Sequence, residues 1–197
     1  EKIKEWLDFS LKRAKEDNPG RVRGKDDKYY SYLLDTGWHW GEWIEPDWNG
    51  FISGEDPGGA YLRDIHDHGA PEVCTAHLSY GCQIAAEVAQ LLGRKEEADY
   101  YCEMGRLTKL AYREACMENG RMKQKRQCDY VHAVMFDMIT DEEKKTTCDE
   151  LNEMIVENGF HLNTEFLSTC ELLRVLSDYG HADTAWSLML QDTYPGW

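Results

Sequence analysis

Val73 to Gly93 reads VCTAHLSYGCQIAAEVAQLLG, and Lys95 to Glu118 continues KEEADYYCEMGRLTKLAYREACME. The first stretch is apolar nearly all round. Leu78, Cys82, Ile84, Ala85, Val88, Ala89 and Leu92 recur at helical spacing, the pattern of a helix buried on most sides. The second stretch carries one stripe only, Tyr100, Met104, Leu107, Ala111 and Ala115, the pattern of a helix at the surface. Gly93 stands between them, where a glycine ends a helix. An inner helix, a glycine stop and an outer helix running back make a helical hairpin.

The same grammar continues downstream. QCDYVHAVMFDMI places Val131, Val134, Met135 and Met138 on one stripe, with Phe136 and Ile139 beside them. TDEEKKTTCDELNEMIVENG opens with a Thr140-x-x-Glu143 capping box and is mostly charged. NTEFLSTCELLRVLSDYG is again apolar, with Asn163 or Thr164 as its expected N-cap, and HADTAWSLMLQ follows. Gly159 and Gly180 are further stops. VAQLLGRKEEA and VLSDYGHADTA share Val, Gly and Ala at equal spacing, an echo of stacked hairpins. Upstream, EKIKEWLDFSLKRAKED sets Ile3, Leu7, Leu11 and Ala14 on one helix face before Pro19-Gly20. Two all-α architectures fit: an open helical-repeat solenoid that serves as an interaction scaffold, or an α/α toroid whose inner helices ring a pocket. The hairpins keep no fixed period and interrupt themselves with a long insertion, which favours the toroid, or an arc of one.

That insertion spans residues 17–71 and holds nine of the 16 glycines, four of the five prolines and four of the seven tryptophans. YYSYLLD (Tyr29 to Asp35) and WHWGEWI (Trp38 to Ile44) read as short strands. Its centre is TGWHWGEWIEPDWNG, Thr36 to Gly50. Tryptophan stacks on the apolar faces of a pyranose and carboxylates accept from its hydroxyl rim, so Trp40, Glu42 and Trp43 around Gly41 are candidates for a sugar site. The bland alternative is that these indoles cap the helical core. At NGFHLNTEFLST, His161 and Asn163 stand before an inner helix, where a pocket is lined, and a simple capping turn accounts for them equally.

Composition excludes several classes. A formal net charge of −15 over 197 residues argues against nucleic acid and anionic membranes as partners. The run RMKQKRQ reads as a solvated connection. Seven cysteines without a C-x-x-C pair read as free, buried thiols in a reducing, cytoplasmic setting. No apolar run approaches the length of a membrane span. His66, Asp67, His68, Cys74 and His77 lack the paired spacings of a zinc site, and no cysteine stands in a basic cluster that would activate it. GEDPGGAYLRD has no strand-to-helix context for binding a phosphate. No metal or other cofactor is expected.

In order and spacing, GEWIEP, TAHLSYGCQIAAEVAQLLGRKEEADYY, RQCDYVHAVMFDMITDEEKK, ENGFHLNTEFLST and LMLQDTYPGW resemble the catalytic domain of the bacterial α-L-rhamnosidases, glycoside hydrolase family 78. The resemblance covers nearly the whole chain. It implies a six-hairpin α/α toroid that hydrolyses terminal α-L-rhamnosides with inversion through two glutamates, without a metal. It also implies that both glutamates lie outside this sequence, in motifs before Glu1 and after YPGW, so no catalytic residue is assigned here. The expectation is a middle portion, about half the toroid: first helix 1–16, pocket-lining segment 17–71 and hairpins 73–191 within a partial catalytic domain 1–197. Gly41, Glu42 and Trp43 match the family's Gly-Asp/Glu-Trp turn. Trp43 is then expected at the sugar ring, and Glu42 at a hydroxyl or holding the loop. Glu165 stands where the family more often has Gly. The expected partner is a rhamnose-containing glycoside, and bare apolar helix faces are expected to promote self-association. Another α/α-toroid carbohydrate-active enzyme and the non-catalytic scaffold remain the alternatives.

Overall fold

The computed structural model describes residues 1–16, 27–35, 41–42 and 71–197. They fall into two compact units, Glu1–His39 with Gly69–Glu118, and Trp40–His68 with Asn119–Trp197.

The first unit is built from α1 (Lys2–Glu16), the short α2 (Asp27–Tyr30), α3 (Pro71–Leu91), α4 (Lys95–Cys116) and the two-residue strand β1 (Met117–Glu118). α3 and α4 are the hairpin expected from the opening stretch. At its bend Gly93 takes φ +70°, the Arg94 N–H donates to Ala89 O at 2.8 Å and the Gly93 N–H to Gln90 O at 3.0 Å. This Schellman closure satisfies carbonyls that the helix end leaves orphaned. The two helices approach closely because position 105 is glycine: a Cβ there would sit 3.4 Å from Cys82 Cβ, and Ser79 Oγ donates to Gly105 O at 3.2 Å. Leu7 and Leu11 of α1 join Leu78, Cys82 and Tyr101 in one core cluster, and Tyr30 and Leu33 join Ala111 in another.

Three expectations for this unit are corrected. Tyr29 to Asp35 is not a strand: Asp27–Tyr30 is helical, and the Leu34 N–H is bonded to Thr75 Oγ1 at 3.0 Å. The buried positions of α4 are Tyr101, Gly105, Thr108, Ala111, Tyr112 and Cys116: of the predicted stripe Ala111 is buried, Met104 and Ala115 pack partly buried against the core, and Tyr100 is exposed. The tyrosine at 101 wins the inner position because its hydroxyl reaches Asp8 Oδ1 at 2.9 Å while its ring fills the core. α3 is not buried on most sides, since Ile84 and Val88 are exposed, as are Leu92 just past its end and Ile3 on α1.

The second unit contains β2 (Arg121–Met122), α5 (Gln127–Met135), α6 (Asp141–Glu157), α7 (Thr169–Asp178) and α8 (Ala182–Met189). Before β2, Asn119 and Gly120 both take positive φ, as a two-residue type I′ turn requires. α5 is short and buried on every side, its polar Gln127, Asp129 and His132 included. It ends in the same closure as α3, but with Asp137 (φ +56°) in the glycine position and the Met138 N–H on Ala133 O at 2.9 Å. α6 carries the expected capping box, Glu143 N–H to Thr140 Oγ1 at 3.3 Å and Thr140 N–H to Glu143 Oε2 at 2.8 Å. Gly159 and Gly180 stop α6 and α7 at φ +64° and +96°. α8 is tied back to α6 by His181 to Asp149 at 2.8 Å and Thr184 to Asn152 at 2.6 Å.

All seven cysteines are free. Cys102 and Cys170 are exposed, which corrects the expectation of uniformly buried thiols. No helix among the described residues is long and apolar enough to cross a membrane.

Candidate functional site

The sugar-site candidates centre on Gly41, which takes φ +60°. Trp40 and Trp43, with Trp38 to His39 and Ile44, lie outside the described residues. Glu42 lies within them and is fully buried. Its Oε1 accepts from the backbone N–H groups of Glu165 (3.0 Å), Leu167 (3.3 Å) and Ser168 (3.0 Å), and from the Ser168 hydroxyl at 2.6 Å. These donors immediately precede α7. A helix start leaves N–H groups without intrahelical partners and carries partial positive charge, so it suits a carboxylate. Here the anion comes from 126 residues away, and the N-cap Ser168 makes no side-chain bond to its own helix. The expected N-caps Asn163 and Thr164 are therefore corrected: helix begins only at Thr169, because the backbone ahead of it is bonded to Glu42 and to Gln127 instead.

The other oxygen of Glu42 lies 3.6 Å from His132 Nε2, and both side chains are fully buried. The imidazole in turn stacks on Phe136, with centroids 5.5 Å apart and planes at 11°. A buried carboxylate is costly unless donors reach it, and four donors converge on Glu42 Oε1.

A second clamp holds the start of the same segment. Buried Gln127 accepts from the Asn163 N–H at 2.8 Å and donates to His161 O at 3.3 Å. His161 bridges Asn158 O and Thr193 Oγ1, each at 2.9 Å. The Leu162 N–H donates to Pro195 O at 3.1 Å. His161 and Asn163, candidates for a pocket lining, thus brace the turn. Beyond it opens a cleft of about 480 Å³ lined by Leu162, Glu165, Phe166, Cys170 and Trp197 among others. Phe166 and Trp197 are exposed to it. Glu165 is partly buried there, and its carboxyl is held above the ordinary glutamate range, first by burial and then by the nearby Glu42. Two aromatic faces beside a carboxyl suit a polyhydroxylated ring.

Glu42 has no solvent exposure and one of its oxygens takes four donors. Of the residues considered for metal, His66, Asp67 and His68 lie outside the described residues, and His77 Nδ1 is bonded within its helix to Val73 O at 2.9 Å. Gln127, His132 and Ser168 belong to the site and carried no local signal, since each meets its partner across 34 to 126 residues of chain or in the buried interior.

The sequence model of the bacterial alpha-L-rhamnosidase six-hairpin glycosidase domain matches residues 1–197. Among curated relatives, an alpha-L-rhamnosidase of Formosa agariphila is 34% identical over 125 residues, 62% of this chain and 14% of its own length. One of Streptomyces avermitilis is 30% identical over 158 residues, 80% of this chain and 15% of its own length. The chain thus spans about one seventh of the curated relatives it matches. Among solved structures, the Streptomyces avermitilis alpha-L-rhamnosidase complexed with L-rhamnose superposes with TM-score 0.73 at 25% identity, over 99% of this chain and 16% of that one. The Aspergillus terreus enzyme has the same fold, with TM-score 0.73 at 23% identity over 99% of this chain and 20% of that one. The all-α, α/α-toroid reading of the hairpins is borne out, and the chain belongs to the bacterial alpha-L-rhamnosidase six-hairpin glycosidase family.

Proposed function

We propose that this chain is part of a glycoside hydrolase that cleaves terminal α-L-rhamnosides with inversion, within a catalytic domain to which 1–197 contributes pocket wall and scaffold. The observation that carries the reading is the family match over all 197 residues. Inversion needs two carboxyls roughly 6.5–9.5 Å apart with a water between them. That acid and base are assigned to sequence outside this chain. Trp40, Glu42 and Trp43 are the residues proposed for the substrate wall, with a rhamnose ring against Trp43. The full burial of Glu42 and its bonds to Glu165–Ser168 support its loop-holding role over a direct bond to a hydroxyl. The setting proposed is carbohydrate metabolism in the cytoplasm, for which seven free thiols are the support.

The test is a panel of aryl glycosides offered to the full-length protein. Aryl α-L-rhamnoside should be hydrolysed with inverted product, and Trp43→Ala should raise KM at least tenfold. Preference for an α-glucoside or an unsaturated uronide would move the protein to a different α/α-toroid activity. Turnover by residues 1–197 alone would show that the acid and base are not outside the chain.

A further inference from the structure

We infer that Glu42 and His132 are positioning residues for the turn Glu165–Ser168, and that they act on a bound glycoside only through that turn. The inference rests on the glycoside-hydrolase reading above.

Both side chains are fully buried, so neither touches a molecule in the cleft. The turn has two sides. Its backbone N–H groups and the Ser168 hydroxyl converge on one oxygen of Glu42. Its side chains at 165 and 166 line the cleft. A carboxylate oxygen accepts several donors at once and holds each more firmly than a neutral acceptor does. An amide in its place would be a weaker acceptor and would turn either oxygen or NH2 toward His132. His132 sits against the opposite oxygen and is itself held by Phe136, so the carboxylate plane has little freedom to rotate. Pinning Glu42 also holds its neighbour Gly41, through the covalent chain. One buried side chain therefore ties the Gly41–Glu42 backbone to the turn that carries Phe166. The chain has Glu at 165, and that carboxyl lies close enough to Glu42 to feel its charge. Holding two carboxyls near each other calls for a turn that cannot relax.

The test uses the full-length protein with Glu42→Gln, Phe166→Ala and the double variant. The readouts are amide exchange over Thr164–Leu172 and steady-state kinetics on an aryl α-L-rhamnoside. Glu42→Gln should speed exchange at Leu167 and Ser168 on the order of 10-fold or more, and lower kcat/KM about 10- to 100-fold, the scale of an ångström misplacement. The loss should appear chiefly in KM if the turn holds substrate and transition state alike. In the Phe166→Ala background the effect of Glu42→Gln should shrink severalfold, because both changes disable one device. Additive losses with unchanged exchange would overturn the inference and make Glu42 a direct substrate contact. Turnover in the parent with neither exchange nor KM moved by Glu42→Gln would overturn it too. No rhamnoside turnover in the parent, with exchange still raised by Glu42→Gln, would sink the glycosidase reading and leave the positioning of the turn standing. If Glu42→Gln does not fold, Ser168→Ala removes one of the four donors and should give the same changes at about two- to fivefold, and no change there would overturn the inference.

Discussion

Gln127 offers a quantitative test of how the turn ahead of α7 is held. Its side chain is buried and makes two bonds to the segment 36 residues on: Oε1 accepts from the Asn163 N–H at 2.8 Å, and Nε2 donates to His161 O at 3.3 Å. The two are not equal. His161 O keeps a second donor, Asn158 Nδ2 at 3.3 Å, so losing the Gln127 bond there leaves a satisfied carbonyl. The Asn163 N–H would lose the acceptor it has at 2.8 Å, in partly buried surroundings. A donor stranded in this way costs about 1–3 kcal/mol, and a middle value of about 2 kcal/mol corresponds to roughly 30-fold in a local opening equilibrium. Gln127→Met is the right perturbation, because it keeps the volume and removes both polar atoms, so that no cavity term is added. Amide exchange at Asn163 in the full-length protein should accelerate roughly 30-fold, while amides of α6 such as Leu151 stay within twofold. Gln127→Glu, which keeps an acceptor for Asn163 and loses the donor to His161, should accelerate exchange less than Gln127→Met does. Unchanged exchange at Asn163 in Gln127→Met would refute the reasoning, since the N–H would then have another acceptor.

Three further predictions follow from other parts of the chain. The Glu165 carboxyl is raised by burial and then by Glu42, so the folded chain holds its proton better than the unfolded one does. Its contribution to stability is therefore full below the ordinary glutamate pKa and is lost as pH rises through the folded value. Glu165→Gln should stabilise the protein relative to wild type at pH 7 and give no gain at pH 3, and the opposite trend in melting temperature would contradict this. Burial pushes the thiols of Cys82 and Cys148 up to about 12, whereas Cys102 and Cys170 are exposed. Brief treatment with a maleimide at pH 7.5, read by mass spectrometry, should modify Cys102 and Cys170 and spare Cys82 and Cys148. Finally, Ile84 and Val88 on α3, Leu92 just past its end and Ile3 on α1 are 38%, 45%, 63% and 62% exposed. Residues 1–197 made alone should self-associate through this face, and Val88→Glu should reduce the effect. A monomer by sedimentation at high concentration would refute it.

Local chemistry was legible wherever it rests on nearest neighbours. A glycine just past an apolar run must be a stop, and Gly93, Gly159 and Gly180 all take the positive φ that only glycine adopts cheaply. The Thr140–Glu143 capping box closes within one turn, so its two residues suffice to announce it. The alternation of apolar and charged helices told hairpins from sheets, and the order of the motifs told the family. What failed was finer in angle or longer in range. On α4 the inner tyrosine is Tyr101 and not Tyr100, and the two are equivalent in a hydrophobic pattern. Asp8, 93 residues away, takes the hydroxyl of the second of them. Asp137 replaces a glycine at a helix end without any compositional warning.

The amino-acid order alone determined an all-α chain of hairpins with its helix ends marked, because helical periodicity and capping are settled within four or five residues. Tertiary structure decided which groups Glu42 meets. Beside two tryptophans in the sequence it reads as a residue for a sugar hydroxyl or for holding the loop, and in the fold it meets the amides of Glu165, Leu167 and Ser168 and stands against His132. A carboxylate and a helix start attract each other whatever their separation in the chain. Which pair meets depends on how the intervening helices pack, and spacing along the sequence does not record that.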